Sequence, residues 1–308
     1  MKNVLAIDIG GSKYIVGIMR EDGQLLVHEK HFWEEISPES VVKTLTAAAK
    51  TLLSKYPQYP CEAAGATIPG LADSKNGIWV EACFSGIKNL PIARLLEDAL
   101  GLETCIENDT NACTLGEKMY GHAKDVSDFI YFTVSNGCGG ALFANNRRYT
   151  GGLGNAGEIG HCVVEENGRL CDCGSRGCFE AHASGRALAQ NFLELGGSFP
   201  GGVPTAKQLD ELARAGDKTA KKAYDIEGYY IGKAAAMVAN IVNPEMIIIG
   251  GGVAMGFDLF EETLRKTFEE RIYRAANRGV RIVKTALGYE GALMSAGALA
   301  FNGKNGQY

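Results

Sequence analysis

Short apolar runs alternate with glycine-rich turns in the first part of the chain. The run at 4–9 ends at Gly10-Gly11-Ser12, and two more runs, at 14–19 and 25–29, each follow a tight turn. Apolar runs bounded by turn residues predict buried β-strands. A helix is predicted from Pro38 to about Tyr56, because proline is favoured in the first turn of a helix. Further predictions are strands at 63–68 and 103–107 and helices at 92–100 and 110–120.

The pattern restarts at Phe129. A strand, a glycine turn at 136–140 and two short strands repeat the order seen at 4–29, although few residues are identical. This repeat predicts a duplicated α/β architecture with a boundary near 120–128, while similar strings also occur in other α/β proteins. Later predictions are helices at 217–243, 257–278 and 291–301 and strands at 246–249 and 280–285.

Length and composition predict a two-domain globular protein. The 308 residues are 46% hydrophobic and 22% charged, which excludes disordered and fibrous classes. We expect a smaller α/β domain over 1–120 with a C-terminal helix at 298–308, and a larger domain over 121–297. The net charge of −5 argues against nucleic acid or an anionic membrane as a partner.

The distribution of apolar and charged residues predicts a cytoplasmic protein. The first apolar run is stopped by Asp8, short of a secretory signal, and no uncharged stretch reaches the ~18 residues needed to cross a bilayer. In a reducing compartment, clustered cysteines favour metal binding over disulfides.

The first glycine turn is a candidate anion site. Glycines let the backbone approach a phosphate closely, so Gly10 and Gly11 fit this role, while Ser12 and Lys13 supply donors. Asp8 could hold a metal ion through water. The alternative is a tight hairpin without a ligand.

Two further glycine turns are candidate nucleotide-binding segments. Asn136-Gly137 begins the second turn, and two such hairpins can clamp a polyphosphate from both sides. Gly250-Gly251-Gly252 follows a predicted strand, a position that suits a nucleotide base and ribose.

Asp109 lies where a predicted strand ends and a helix begins. A carboxylate at the C-terminal end of a strand is well placed for a catalytic base in an α/β enzyme. The alternative is that Asp109 simply caps the helix.

The segment 154–178 carries the most specific signal. One histidine and three of the nine cysteines lie within 18 residues, a spacing that lets four donors converge on one zinc ion; they are His161, Cys171, Cys173 and Cys178. All four positions are filled by protein, so the predicted zinc is structural. The alternative is accidental crowding of buried thiols. The other cysteines are expected to be reduced: Cys61, Cys83, Cys105, Cys113, Cys138 and Cys162.

Two carboxylates flank this candidate metal loop. Glu158 precedes His161 by three residues, and Glu180 follows Cys178 by two. Either could accept hydrogen bonds from a polyhydroxylated ligand, or could be a solvated surface residue.

With these motifs the chain resembles the ROK family of repressors, open reading frames and sugar kinases, within the actin-like ATPase superfamily. The resemblance covers essentially the whole length, and its motifs are Asp8-Ile9-Gly10-Gly11-Ser12-Lys13, Glu107-Asn108-Asp109-Thr110-Asn111-Ala112, Ala156-Gly157-Glu158-Ile159-Gly160-His161, the cysteine string and Ile249-Gly250-Gly251-Gly252. It implies a duplicated, ribonuclease H-like α/β fold with an interdomain cleft.

The resemblance also implies roles for these residues. Asp109 corresponds to the catalytic base. The sugar-binding positions are Asn108, Glu158, His161 and Glu180, and the zinc ligands are His161, Cys171, Cys173 and Cys178. ATP is expected at Asp8, Gly10, Gly11, Ser12, Lys13, Asn136, Gly137, Gly250, Gly251 and Gly252, together with Mg²⁺. The family further suggests a homodimer, or a tetramer.

Two positions depart from the family pattern. Asn136-Gly137 stands where similar kinases usually have Thr-Gly, so an amide donor replaces a hydroxyl. Ser12 replaces the more usual threonine and keeps the hydroxyl.

The function implied is transfer of the γ-phosphoryl of Mg-ATP to a hexose, with O6 of glucose the first expectation. Alternatives in the same class are kinases for N-acetylmannosamine, N-acetylglucosamine, fructose or allose. An alternative of another class is a sugar-sensing regulator without catalysis. Family repressors carry a helix-turn-helix ahead of the first glycine turn, and we expect none here because that turn begins at residue 8.

Overall fold

The computed structural model describes residues 1–82, 85–303 and 306. Cys83, one of the predicted reduced thiols, lies outside these residues. The chain forms two compact units. The first comprises Met1–Asp125, Asn146–Ala156 and the chain from Glu290 onward, and the second comprises Val126–Asn145 and Gly157–Tyr289. None of the helices in the described residues has the length and hydropathy of a membrane span.

The helices of the described residues are α1 (Pro38–Lys55), α2 (Ile92–Leu100), α3 (Asp109–Tyr120), α4 (Phe179–Ala183), α5 (Gly185–Glu194), α6 (Ala206–Arg214), α7 (Lys218–Val242), α8 (Phe257–Arg271) and α9 (Gly291–Asn302). The strands are β1 (Asn3–Ile9), β2 (Lys13–Arg20), β3 (Leu25–Phe32), β4 (Ala63–Ile68), β5 (Leu71–Asp73), β6 (Ile78–Ala82), β7 (Ile87–Leu90), β8 (Glu103–Asn108), β9 (Phe129–Val134), β10 (Cys138–Ala144), β11 (Arg147–Tyr149), β12 (Met246–Gly250) and β13 (Arg281–Lys284).

The first unit is built on a sheet with strand order β3-β2-β1-β4-β8. β1, β2 and β3 form an antiparallel meander, whereas β1, β4 and β8 run parallel. Ile7 of β1, Leu45 of α1 and Trp79 of β6 belong to one buried core. The three parallel strands end at the same edge of the sheet, which is where α/β proteins place functional side chains.

The second unit repeats this arrangement. Its strands run in the order β10-β9-β12-β13, with β10 antiparallel to β9 and with β9, β12 and β13 parallel. The order β2-β1-β4-β8 of the first unit has the same directions. Phe132, Tyr224 and Ile249 lie in the core between this sheet and its helices.

Several elements differ from the sequence predictions. α8 ends at Arg271 rather than at 278, because Ile272 adopts an extended conformation and the Tyr273 amide donates to Asn240 Oδ1 of α7 at 2.8 Å. The three-stranded sheet β5-β6-β7 was not predicted, since its strands are short and only partly buried. The first unit includes the 146–156 segment and the whole of α9, which begins at Gly291, whereas the sequence predicts only 1–120 and 298–308 for this unit.

Candidate active site and metal centre

The first glycine turn closes the β1–β2 hairpin. The Gly10 amide donates to the Lys13 carbonyl at 2.9 Å, and the Trp33 indole Nε1 donates to the Gly10 carbonyl at 2.9 Å. Gly11 and Ser12 are exposed at its tip. These hydrogen bonds fix the base of the turn, while its tip is accessible to a ligand. Sequence reasoning missed Trp33, because it is distant in the chain from the turn that it holds.

Asp8 lies beside a buried threonine on the neighbouring parallel strand. Thr67 is fully buried and pairs with Asp8 across the β1–β4 register, and its hydroxyl donates to Asp8 Oδ1 at 2.8 Å. Burial raises the pKa of Asp8 to about 6, and the charge of Asp109 adds to the rise, whereas Thr67 and Lys13 lower it. Sequence reasoning missed Thr67, although a polar residue in an apolar strand was an available signal.

The junction of β8 and α3 carries Asn108 and Asp109. Asn108 is the N-cap of α3, and its Oδ1 accepts from the amides of Thr110 at 3.0 Å and Asn111 at 3.1 Å. Its Nδ2 donates to the Gly70 carbonyl at 2.9 Å. The alternative that Asp109 caps this helix is therefore wrong.

Asp109 occupies the first turn of α3 and is partly buried. Its Oδ1 accepts from the Thr110 amide at 2.7 Å, yet burial raises the pKa of this carboxyl above its usual value. A raised pKa makes a carboxylate a stronger base near neutral pH. The geometry is therefore suited to accepting a proton.

A buried ion pair holds this junction in place. Glu107 is 3% exposed, and its Oε2 pairs with Arg148 of β11. The Oε1 atom of Glu107 accepts from the Asn108 amide at 2.8 Å. A buried carboxylate needs such partners, so Glu107 and Arg148 position the segment that bears Asn108 and Asp109. Sequence reasoning assigned neither residue a role.

The second glycine turn lies between β9 and β10. The Ser135 amide donates to the Gly137 carbonyl at 2.8 Å, and Glu180 Oε2 accepts from the Cys138 amide at 2.9 Å. A Cβ atom at Gly137 would lie 2.3 Å from Glu180 Oε2, so a larger residue at this position would displace the carboxylate. Asn136 is exposed at the tip of the turn. Glu180, expected as a sugar ligand, thus also contacts the candidate phosphate turn.

The third glycine run lies next to the second turn. β12 and β9 are parallel neighbours, so the segments that follow them leave the same sheet edge. Gly251 has a φ of +88°, and a Cβ atom there would lie 2.4 Å from the Val134 carbonyl oxygen. The structure therefore brings together the two glycine segments of the second unit that were predicted to bind nucleotide.

The predicted zinc ligands converge. The ligand atoms of His161, Cys171, Cys173 and Cys178 all lie within 4.8 Å of one another. His161 Nδ1 is 3.7 Å from Cys171 Sγ, and Cys173 Sγ is 3.6 Å from Cys178 Sγ. Tetrahedral zinc with Zn–S of about 2.3 Å and Zn–N of about 2.0 Å separates its ligand atoms by about 3.5–3.8 Å. The arrangement therefore fits a four-coordinate zinc ion.

The three thiols of this site have different electrostatic environments. Burial raises the pKa of Cys178 to about 12, whereas the pKa of Cys173 is lowered to about 7, first by the Ser175 amide. A cation would stabilise all of them as thiolates. Among the described residues, the cysteines outside this set are Cys61, Cys105, Cys113, Cys138 and Cys162.

Glu158 and His161 lie on the exposed side of the metal loop. Glu158 precedes the 3-10 turn Ile159–His161, and its side chain makes no capping hydrogen bond. Since His161 directs Nδ1 at the cysteines, its Nε2 is left for another partner. Both side chains are therefore accessible from solvent.

Comparison with known proteins identifies the family. The sequence matches the ROK family over residues 4–302. The chain belongs to the ROK family. The glucokinase of Thermotoga maritima is 30% identical over 308 residues, which cover 96% of this chain and 96% of that protein. The predicted family and its actin-like ATPase fold are thus confirmed.

Other ROK proteins show the range of functions in the family. A ROK family glucokinase from Streptomyces griseus, solved in complex with glucose and AMPPNP, has a TM-score of 0.86 at 29% identity, covering 98% of this chain and all of that one. The xylose repressor of Bacillus spizizenii is 28% identical over 287 residues, which cover 92% of this chain and 73% of the repressor. The proteins similar to this chain therefore include both kinases and regulators.

Proposed function

We propose that this chain is an ATP-dependent hexose kinase that phosphorylates a sugar hydroxyl, with O6 of glucose as the first candidate. The observation that carries the proposal is Asp109, a partly buried carboxylate of raised pKa whose helix is capped by its neighbour Asn108. A carboxylate held in this way is suited to serve as a general base.

In the proposed reaction the sugar oxygen forms a bond to the γ-phosphorus while the bond from that phosphorus to the β–γ bridging oxygen breaks. ADP leaves with the bridging oxygen, and the hydroxyl proton passes to Asp109. Catalysis of phosphoryl transfer is mainly positioning and charge stabilisation. Glu107 and Arg148 serve positioning, because they fix the backbone that carries Asp109.

The nucleotide is proposed to contact backbone amides of the glycine turns at 10–13 and 136–138, with its adenosine at 250–252. Asp8, held by Thr67, would interact with the Mg²⁺ that accompanies ATP. The S. griseus glucokinase, solved with AMPPNP, supports ATP as the donor.

The residues proposed to contact the sugar are Asn108, Glu158, His161 and Glu180. Carboxylates and an imidazole nitrogen can accept hydrogen bonds from sugar hydroxyls. Zinc would be held by His161 and the three cysteines, and its role would be to keep Glu158, His161 and Glu180 in fixed positions.

The test is an ADP-release assay over glucose, fructose, allose, N-acetylglucosamine and N-acetylmannosamine. Asp109→Asn should lower sugar-dependent turnover by about 10²–10⁴-fold, with unchanged thermal stability and metal content. Asp98→Asn is the control, because Asp98 is an exposed carboxylate on α2. Retained turnover in Asp109→Asn contradicts the assignment of the base.

The second candidate is a sugar-sensing regulator, which the similarity to the xylose repressor of B. spizizenii favours. Asn136 in place of the usual threonine also favours it. Two measurements together distinguish the candidates. If calorimetry detects glucose binding but no sugar in the panel causes ADP release, the result supports the regulator.

A further inference from the structure

Arg186 joins the second glycine turn to the metal loop. Its Nε donates to the Asn136 carbonyl at 3.1 Å, and its Nη1 donates to Asp172 Oδ2 at 2.7 Å. Its Nη2 lies 3.6 Å from Glu180 Oε1. A guanidinium has donors in a rigid plane, so it can hold a carbonyl and two carboxylates at once. Arg186 therefore fixes the orientation of the peptide that follows Asn136.

Asp172 lies between two of the metal ligands. Its neighbours Cys171 and Cys173 belong to a tight turn in which the Cys171 amide donates to the Ser175 carbonyl at 2.8 Å and the Gly174 amide to the Cys171 carbonyl at 2.9 Å. The position of the Asp172 carboxylate is thus set by the metal loop. Arg186 binds both the Asp172 carboxylate and the Asn136 carbonyl, and so connects the metal loop to the glycine turn.

The other end of the glycine turn is held from the same loop. Glu180 follows Cys178 by two residues, in the first turn of α4, and its Oε2 accepts from the Cys138 amide at 2.9 Å. The carbonyl side of the turn is therefore bound through Arg186, and the amide side through Glu180. A turn that binds phosphate through amides gains affinity when those amides are oriented before the ligand arrives.

We propose that Arg186 is a positioning residue that transmits the rigidity of the Cys/His metal loop to the second phosphate turn. The inference rests on the proposed function, since the ligand of the turn is taken to be a nucleoside triphosphate. Arg186 acts mainly through the backbone of Asn136, so its loss weakens nucleotide binding more than sugar binding, which it affects only through its contact with Glu180.

The experiment measures the Kd of AMPPNP and of glucose by calorimetry, together with hydrogen exchange of a peptide that contains residues 135–138. Arg186→Gln should weaken AMPPNP binding by about five- to tenfold, the effect of losing one ordinary hydrogen bond, because the Arg186 side chain is 60% exposed. The Kd of glucose should change by a smaller factor than the Kd of AMPPNP, and amide exchange in 135–138 should become faster. Arg186→Lys should retain only part of the affinity, because an ammonium lacks the planar fork.

The chain offers a matched control. Arg274 also donates Nε to a backbone carbonyl, that of Glu269 at 3.3 Å, and also pairs with a carboxylate, Glu269 Oε2 at 3.4 Å. Arg274→Gln removes the same two kinds of interaction at a position far from the glycine turn in the sequence. It should leave the dissociation constants of AMPPNP and of glucose unchanged.

A double substitution tests the chain of contacts. Asp172→Asn should weaken AMPPNP binding in the same direction as Arg186→Gln but by less. When the two are combined, the effect should not exceed that of Arg186→Gln alone, because both act on one path. Zinc content, measured for each variant, should equal that of the wild type.

The outcomes separate the two proposals. If AMPPNP binding and exchange in Arg186→Gln equal those of the wild type or of Arg274→Gln, the positioning role is overturned even if the wild type is an active kinase. If the wild type binds AMPPNP but phosphorylates no sugar, the kinase proposal fails, and the Kd and exchange data still decide the role of Arg186. Absence of AMPPNP binding by the wild type overturns both.

Discussion

The hydrogen bond from Thr67 to Asp8 controls the ionisation of a carboxylate in the candidate nucleotide site. Thr67→Val keeps the shape of this buried side chain and removes the hydroxyl that donates to Asp8 Oδ1 at 2.8 Å. Thr67 lowers the pKa of Asp8, which burial holds at about 6. The substitution should therefore raise this pKa further.

The size of the change follows from the strength of the lost bond. Hydrogen bonds to charged groups are worth about 1.5–3 kcal/mol, and about 1.4 kcal/mol corresponds to one pKa unit, so the pKa of Asp8 should move to between about 7 and 8. At pH 7 the ionised fraction then falls from about nine-tenths to between about a half and a tenth. If the Asp8 anion is required, kcat/KM at pH 7 falls by about two- to tenfold and recovers near pH 9.

Two measurements check this prediction. The acid limb of the pH profile of kcat/KM should move upward, and carbon NMR of the Asp8 carboxyl should report the same shift without relying on activity. Because Asp8 and Asp109 interact, the limb belongs to the pair, and the NMR signal assigns it. Thr67→Ser should behave like the wild type.

The matched control is Thr104→Val. Thr104 is also fully buried in the same sheet, but its hydroxyl donates to the Leu102 carbonyl at 3.0 Å. An Asp8 titration that is the same in Thr67→Val and Thr104→Val, or unchanged in the former, refutes the reasoning.

Two further predictions concern stability and metal binding. Glu227 is fully buried, and neither carboxylate oxygen has a partner among the described residues; Glu227→Met should therefore stabilise the protein by about 1–3 kcal/mol. Burial raises the pKa of Glu227 in the folded state, so the stability of the wild type falls as the pH rises above about 4.3, where the unfolded chain ionises. Calorimetry should show that the advantage of Glu227→Met is larger above this pH than below it, and a difference that does not change with pH contradicts the argument. Cys173→Ser should lower zinc content at least about tenfold, since a four-coordinate site loses one ligand. Metal analysis should show no loss of zinc in Cys162→Ser, because Cys162 adjoins His161 but is not one of the four ligands. Equal zinc content in the two variants contradicts the metal centre.

Local signals were sufficient where neighbours in the chain decide the structure. The glycine turns and the strands that flank them follow from short apolar runs bounded by residues that tolerate tight turns. The Cys/His spacing predicted a cluster that the structure then brings within ligand distance, because all four ligands lie within 18 residues of the chain. Helix α8 is the counterexample, since its end depends on Asn240 of another helix.

The side chains that tune the candidate site depended on contacts distant in the chain. Thr67 meets Asp8 only because β4 is the parallel neighbour of β1, and Arg148 meets Glu107 although 41 residues separate them. Neither residue belongs to a motif. The assignment of the α3 cap to Asn108 rather than Asp109 was likewise decided by the backbone at the end of β8.

The sequence by itself determined the family, the duplicated α/β order and the residue types at each candidate site, since periodicity, turn residues and motif spacing are local properties of the chain. Only the tertiary structure decided how those residues are held and charged: the pKa of Asp8 depends on burial and on Thr67 and Asp109, and the second glycine turn depends on Arg186 and Glu180. The physical reason is that burial, hydrogen bonding and electrostatic interaction depend on distance in space, which strand pairing and packing set and separation along the chain does not.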